Sequence, residues 1–351
     1  MSNLKYRLIN LAMEVFALPN VAKLIRRFSD CRGVIFTLHR VLPDAPAAFS
    51  PNGILQITPE FLESVIIEAR ANGFDIVDLD EALDRLEADE AQDPFVVLTF
   101  DDGYKDNLQY ALPILKKHNC PFTLFIAPNL IEAKAEIWWQ ALEDIIRENN
   151  SVEFDLGQGT EYRETSTPAS KCEVFDELYW YMRKKPEADR LRLLHALAKR
   201  YQLDLTAHCR ALIMEWQELQ AFIDEPLCTI GAHTMNHYEL KKLPEDQMAD
   251  EISKSVETLA EKTGKRPTHF SYPVGGPLSA GRREFAQVKR QALASGVTTR
   301  PGGLYAENAE FLEALPRISL NGNYQKLRFI DVFLTGAIFT AHSGMKKVNL
   351  D

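Results

Sequence analysis

Apolar runs alternate with amphipathic segments along the first third of the chain. The runs predict buried strands at 33–38, 74–77, 95–101 and 121–126. The segments between them predict helices at 59–72, 79–86 and 106–118. Pro113 is expected to kink or divide the third of these helices, because proline removes a helical hydrogen bond. Strands that alternate with helices in this way predict an α/β fold with a parallel sheet or barrel.

The pattern changes between residues 133 and 226, where helical stretches surround a polar segment at 149–170 that lacks periodicity. After this segment the alternation returns, with helices expected at 255–263, 288–295 and 327–340 and short strands at 269–273, 297–299 and 317–320. We therefore expect a mainly helical insertion at 133–226 within a barrel formed by 31–132 and 227–325. An N-terminal amphipathic helix at 1–30 and a C-terminal helix and tail at 326–351 complete the predicted organisation.

The composition is that of a soluble globular protein, with 46% hydrophobic and 26% charged residues. A net charge of −10 argues against a nucleic-acid partner and, more weakly, against an anionic polymer as substrate. The five cysteines are odd in number and lack CxxC spacing, which favours reduced thiols and a cytoplasmic location.

Residues 1–27 combine periodic apolar positions with basic side chains. The segment lacks the apolar core and cleavage site of a secretory signal, and no apolar run in the chain is long enough to span a bilayer. Two interpretations stay open: a helix packed on the domain, or a basic amphipathic helix on a membrane surface. We therefore expect a cytoplasmic protein, with peripheral membrane contact through 1–27 as a further option.

The strand predicted at 95–101 ends in two adjacent carboxylates and a glycine, Asp101-Asp102-Gly103. Neighbouring residues of a strand point to opposite faces, but the chain can turn at a strand end so that both acids approach one centre. Two carboxylates this close are both ionised only near a cation. The alternative is a tight Asp-Gly turn with no chemical role.

His233 and His237 follow another predicted strand end. Their spacing of four would place both imidazoles on one side of a helix start, with Thr234 as a cap. The alternative is a pair of unrelated surface or capping histidines. In α/β folds the carboxyl ends of the strands carry the chemistry. We therefore expect these imidazoles near Asp101 and Asp102, because two histidines and one carboxylate can hold a catalytic metal.

Together, the motifs Thr99-Phe100-Asp101-Asp102-Gly103 and His233-Thr234-Met235-Asn236-His237 resemble those of the polysaccharide deacetylases, carbohydrate esterase family four with its NodB homology domain. The resemblance extends over about 34–129 and 227–320. It implies a distorted (β/α) barrel, a divalent metal that is usually zinc, and removal of N- or O-acetyl groups from sugar polymers.

By this resemblance, Asp102, His233 and His237 are the metal ligands and Asp101 is the general base. A divalent metal, with Zn²⁺ favoured, polarises the acetyl carbonyl and lowers the pKa of bound water to about 7. The base then takes the proton of the attacking water. The expected function is a metal-dependent hydrolase that removes acetyl groups from N-acetylated sugars of an oligo- or polysaccharide.

Two motifs of the family are altered in this chain. Ser271 stands where the family carries an arginine that orients the base, and Tyr272 and Pro273 are expected in the wall of the substrate groove. The late Leu-x-His motif, which carries the general acid, has no clear match. His39, at the end of the first predicted strand, is the first candidate for the acid, and His269 is the second.

Arg317 is expected to orient a carboxylate or contact sugar, with a surface salt bridge as the alternative. Trp138 and Trp139 can stack on sugar rings or anchor the core of the helical insertion. The altered motifs leave a second function open, a catalytically impaired metal-binding protein of this fold that binds glycan. Two histidines and an acid also suit non-haem iron oxygenases, but the extra Asp101 favours hydrolysis.

Overall fold

A curled parallel sheet forms the centre of the protein in the computed structural model, which describes residues 13–18, 21–88, 90, 92–336, 338–339 and 346–350. The strands are β1 (Gly33–Leu38), β2 (Arg40–Val41), β3 (Gln56–Ile57), β4 (Asp75–Ile76), β5 (Phe95–Asp101), β6 (Phe122–Ile126), β7 (Ser151–Asp155), β8 (Thr160–Glu164), β9 (Cys228–Ala232), β10 (His269–Ser271), β11 (Ser295–Val297) and β12 (Ile318–Ser319). The α-helices are α1 (Val21–Phe28), α2 (Pro59–Ala71), α3 (Leu79–Glu87), α4 (Leu112–Lys117), α5 (Pro128–Ile131), α6 (Trp138–Glu148), α7 (Pro168–Lys184), α8 (Glu187–Arg200), α9 (Leu205–Leu212), α10 (Trp216–Ile223), α11 (Glu245–Thr263), α12 (Arg282–Arg290) and α13 (Leu327–Leu334).

The main sheet has the strand order β11-β10-β9-β6-β5-β1-β12, with β4 also paired to β5, and all of these pairs are parallel. β1 and β5 are buried along their whole length, which explains their nearly continuous apolar sequences. An isolated bridge between Val297 and Leu315 joins the two margins of the sheet. The result is the distorted (β/α) barrel that the sequence predicts.

The carboxyl ends of the strands place the predicted site residues on one rim of the barrel. β5 ends at Asp101, β1 is followed by His39, β9 is followed by His233, and β10 ends at Ser271. Because these strands are parallel and close in the sheet, the four residues lie at the same rim.

The local signals that start and divide the early helices act as expected. Thr58 accepts a hydrogen bond from the main-chain N–H of Phe61 at 3.1 Å, and Pro59 begins α2. Gly73 follows this helix in a left-handed conformation, with φ of 73°. The helix predicted at 106–118 is divided, because a π-helical turn precedes α4 and its proline.

The structure corrects two predicted segments that lie away from the site. The polar segment 149–170 contains the antiparallel hairpin β7–β8, in which Val152 and Phe154 are the buried positions and β8 has none. Because so few apolar residues mark the period, the alternation is too weak to identify from sequence. The helix expected at 288–295 instead covers Arg282–Arg290, since Ser295 already belongs to β11. The proposed domain limits stay predictions.

Nearly half of the predicted N-terminal helix cannot be compared, because 1–12 and 19–20 lie outside the described residues, as do 340–345 and 351 at the other end. In the described part, Met13 is buried, whereas Leu24 and Phe28 on α1 are exposed. None of the helices in the described chain is both long and apolar enough to cross a membrane. Membrane contact through 1–27 and a cytoplasmic location stay predictions.

Candidate active site

A sharp turn at the end of β5 brings both acids to the rim. Asp101 is the last strand residue, and the chain then adopts left-handed conformations at Asp102 and Gly103, with φ of 74° and 78°. A β-carbon at position 103 would lie 2.8 Å from Ile126, so this turn requires glycine. Asp101 is 2% exposed and Asp102 is 1% exposed. The Asp-Gly pair therefore presents two buried carboxylates and does not close a hairpin.

Arg317 binds the carboxylate of Asp101 with both terminal nitrogens. Nη1 donates to Oδ1 at 2.8 Å and Nη2 donates to Oδ2 at 2.7 Å. Nη2 also donates to the hydroxyl of Ser271 at 2.9 Å. Burial alone would raise the pKa of Asp101, but the charges of Arg317 and His233 and the hydrogen bonds from Arg317 together outweigh it and hold that pKa below its usual value. Arg317 therefore contacts a carboxylate, as one of its predicted roles requires, and it does so in the interior and not in a surface salt bridge.

His233 and His237 lie on a turn, so the predicted helix start is wrong. Thr234 and His237 have left-handed backbone conformations, with φ of 58° and 59°. The expected cap is also wrong, because the buried hydroxyl of Thr234 has no hydrogen-bond partner among the described residues. Instead, Oε2 of Glu251 on α11 accepts hydrogen bonds from two consecutive main-chain N–H groups of the turn, at 3.0 and 2.9 Å.

The turn places both imidazoles against Asp102. Its Oδ1 atom lies 3.5 Å from Nε2 of His233 and 3.2 Å from Nε2 of His237. Ligand atoms of these three buried residues all lie within 4.8 Å of one another. Nδ1 of His233 lies 2.7 Å from the main-chain oxygen of Ser271. Because a carbonyl oxygen only accepts, Nδ1 carries the proton and Nε2 keeps its lone pair toward Asp102.

The donor set of these three residues fits a divalent metal. Oδ1 of Asp102 is buried and has no hydrogen-bond donor within the described part of the chain. Burial lowers the pKa of His237, which favours its neutral form despite the nearby carboxylate. A buried carboxylate that faces imidazole lone pairs is costly unless a cation lies between them. Two imidazoles and one carboxylate are typical zinc ligands.

A cavity of about 500 Å³ opens above the acids and the histidines. His39 lines it, and within the described residues its ring makes no hydrogen bond or ion pair. Trp138 and Trp139 also line the cavity, but they are 2% and 7% exposed. The Trp139 ring packs 4.8 Å from that of His237. Both rings thus pack in the core and also border the cavity, and Trp139 supports one side of the histidine turn. Stacking on sugar rings stays a prediction.

Three other candidates lie away from the cavity. Tyr272 is 1% exposed and its hydroxyl donates to a main-chain carbonyl at 2.7 Å, so its ring points into the interior. The expected groove wall is therefore wrong for Tyr272 and for buried Pro273, and Val274 lines the cavity instead. His269 is fully buried at the start of β10, with Nδ1 at 2.9 Å from the hydroxyl of Ser295. That is the opposite end of the strand from the site.

Helix α7 contributes residues that the sequence motifs do not contain. Asp176, Tyr179 and Trp180 line the cavity from this helix, and Ile54 lines it as well. Trp180 is 45% exposed and Ile54 is 38% exposed. The aromatic pair is visible in the sequence, but no local pattern places its helix beside strands that lie far away along the chain.

A sequence model of the polysaccharide deacetylase family matches residues 88–158 and 175–292, which is more than half of the chain. YxkH of Bacillus subtilis (strain 168), a curated protein assigned to the polysaccharide deacetylases, is 26% identical over 139 residues. That match covers 38% of this chain and 50% of the relative. The chain thus spans about half the length of this relative.

Solved structures of deacetylases have the same fold. IcaB from Ammonifex degensii superposes with a TM-score of 0.54 and 17% identity, over 87% of this chain and 97% of that protein. The Streptococcus pyogenes deacetylase PplD, solved with acetate, gives a TM-score of 0.52 and 18% identity, over 83% and 92% of the two chains. These likenesses confirm the barrel, and the family match shows that this chain belongs to the polysaccharide deacetylase family.

Proposed function

We propose that this protein is a metal-dependent hydrolase that removes acetyl groups from N-acetylated sugars of an oligo- or polysaccharide. One observation carries the proposal. Asp101, a buried acid bound by Arg317, lies directly beside the cluster of Asp102, His233 and His237 at the base of one cavity. Asp101 and Asp102 thus have different partners, and this difference separates a proton acceptor from a metal ligand.

Asp102, His233 and His237 would hold the metal, and their donor set favours Zn²⁺. When bound, such a metal polarises the acetyl carbonyl and lowers the pKa of a water molecule to about 7. The hydrogen bond from Nδ1 of His233 to the main chain fixes the ring so that Nε2 faces the metal position.

Asp101 acts as the general base in this proposal. Arg317 fixes the plane of its carboxylate, and the lowered pKa keeps it ionised at neutral pH. Oδ2 is close to the hydroxyls of Thr37 and Ser271 as well as Arg317. Oδ1 accepts from Arg317 alone among the described residues, so it keeps a lone pair for the proton of the attacking water.

His39 supplies the proton to the leaving amine. It lines the cavity near both acids, and its charge contributes to the lowered pKa values of Asp101 and Asp102. A general acid must hold a proton within reach of the leaving group, and His39 lies at the rim of the cavity beside both acids. The absence of a ring hydrogen bond in the described chain leaves the imidazole available to substrate.

The test measures acetate release from N-acetylglucosamine oligomers with added zinc and after treatment with a chelator. Asp101→Asn should lower kcat by about 10²–10⁴-fold while the zinc content stays unchanged. His39→Gln should also lower kcat, whereas His195→Gln, at an exposed histidine, should not. Zinc and glycan binding without acetate release by the wild type would instead support a catalytically impaired glycan-binding protein.

A further inference from the structure

One wall of the cavity comes from α7, a helix that supplies none of the proposed catalytic residues. Asp176, Tyr179 and Trp180 follow one another at helical spacing on this wall. The Tyr179 ring stacks on Trp138 with centroids 5.1 Å apart and meets the Trp180 ring edge-on at 5.4 Å. Because Trp138 is buried, these contacts brace the half-exposed Trp180 from behind. Trp180 is therefore a firmly supported aromatic surface at the edge of the cavity.

The charges of the cavity are unbalanced. Its lining in the described chain includes Asp101, Asp102 and Asp176 but no lysine or arginine. Arg317 neutralises Asp101 from behind, and the proposed metal would neutralise Asp102. Asp176 is exposed and has no hydrogen bond or ion pair with any described residue. Its carboxylate lines the cavity together with Trp180, so its negative charge acts on a group bound there.

We propose that Trp180 and Asp176 form a sugar subsite next to the catalytic centre, which accepts a neutral or positively charged sugar unit and rejects an anionic one. The inference rests on the proposed function, because it concerns the unit beside the acetylated sugar. The apolar face of a sugar ring packs on an indole. The exposed Ile54 adds apolar surface to the same cavity.

Charge decides which neighbouring unit fits best. The face of an indole carries negative charge density, so an ammonium group gains a cation–π contact there and a carboxylate does not. Asp176 adds repulsion against a carboxylate or phosphate and attraction for an ammonium group. A glycan in which neighbouring units have already lost their acetyl groups therefore suits this subsite better than a glycan with uronic acid units.

The experiment compares three trisaccharides with a central N-acetylglucosamine, flanked by N-acetylglucosamine, by glucosamine or by glucuronic acid. We expect the zinc-loaded wild type to have the lowest kcat/KM on the glucuronic acid compound. Asp176→Asn should narrow the difference between the charged substrates by about two- to fivefold, the size of an exposed charge or cation–π contact. Asp176→Lys should make kcat/KM higher on the glucuronic acid compound than on the glucosamine compound. Trp180→Ala should raise KM for all three with little change in kcat.

Asp189→Asn is the control, because Asp189 on α8 is an acid with a partly exposed side chain, paired with Arg192 and outside the cavity lining. Equal rates on the three wild-type substrates, or the same effect from Asp176→Asn and Asp189→Asn, would overturn the subsite. No acetate from any substrate would overturn the proposed function instead. In that case the dissociation constants of the three trisaccharides, measured by calorimetry on the wild type and the same variants, decide the subsite separately.

Discussion

At the scale of single residues, the contact between Arg317 and Asp101 supports the role of base that we propose for this buried acid. The guanidinium reaches from the segment before β12 to the end of β5 and fills the space beside Ser271. A serine at position 271 leaves room for that side chain. In the proposed mechanism, Arg317 thus orients the base although the family's usual position for that arginine holds a serine.

Replacing Arg317 by methionine should shift the acid limb of the pH–activity profile to higher pH. The base works only when deprotonated, so the rate falls as the pH drops through the pKa of Asp101. Arg317 keeps that pKa low, and without it burial raises the pKa. Arg317→Lys keeps the charge but not the paired hydrogen bonds, so kcat should fall while the acid limb moves less.

Profiles of kcat/KM against pH for the wild type and both variants check this prediction. Loss of the partner of a buried charge costs about 3–5 kcal/mol of unfolding free energy, so chemical denaturation must show that each variant is folded at the assay temperature. An unchanged acid limb in folded Arg317→Met would contradict the role of Arg317 in setting the pKa of Asp101.

At the scale of elements, the turn that carries the histidines shows how far the sequence could predict the site. The motif places His233 and His237 at a strand end, and the structure confirms that they meet Asp102. The spacing of four suited a helix, but the chain forms a turn with left-handed residues. Glu251 stabilises this turn from α11, and no local pattern signals such a contact between separate elements.

Glu251→Gln should weaken metal binding although Glu251 is not a ligand. The side-chain volume is unchanged, but the negatively charged acceptor of the two main-chain N–H groups is lost, so the turn is held less firmly. Loss of such a supporting group typically costs about 10–100-fold in metal affinity. Calorimetric titration measures the dissociation constant for zinc. The control is Glu257→Gln, because Glu257 is an exposed acid on the same helix. Equal affinities of the two variants would contradict the prediction.

The exposed apolar residues of α1 make membrane contact testable. Leu24 and Phe28 are 59% and 81% exposed, and exposed Arg27 lies between them on the helix. Apolar side chains beside a cation suit a surface of anionic lipid. The protein should sediment with vesicles of anionic lipid and release at high salt, and the Leu24→Ser, Phe28→Ser double variant should bind less. Salt-independent binding, or self-association through this face in ultracentrifugation, would argue against a lipid partner.

At the scale of the whole molecule, a buried ionic cluster joins the helical segment 133–226 to the barrel beside the site. Glu239 lies two positions after His237 and forms ion pairs with two arginines. Its Oε1 lies 3.0 Å from Nη1 of Arg190, and its Oε2 lies 3.2 Å from Nη2 of Arg183. The Arg190 guanidinium also lies 4.8 Å from the Trp138 ring. The alternating pattern predicts an α/β fold with a parallel sheet or barrel, because parallel strands are apolar throughout, and the family resemblance implies the barrel. It does not predict this junction, since charged residues in helices usually face solvent.

Glu239→Gln should destabilise the protein in a way that depends on pH. Burial alone would raise the pKa of Glu239, but the charges of Arg183 and Lys242 lower it below the ordinary 4.5. A carboxyl with a lowered folded-state pKa stabilises the native protein fully above about 4.5, and this contribution disappears as the pH falls through the folded-state value. At pH 7 the variant removes the buried negative charge that pairs with Arg183 and Arg190, and Arg190 keeps only Glu187 as an ionic partner among the described residues, which costs about 3–5 kcal/mol.

Urea denaturation at pH 7 and at pH 4 measures this effect, with the exposed Glu261→Gln as control. The free energy of unfolding of Glu239→Gln should lie well below that of the wild type at pH 7, and the gap should narrow at pH 4. A gap that is independent of pH would mean that Glu239 acts through packing and hydrogen bonds instead of charge. Because Glu239 also anchors the end of the histidine turn, zinc should raise the stability of the wild type more than that of the variant.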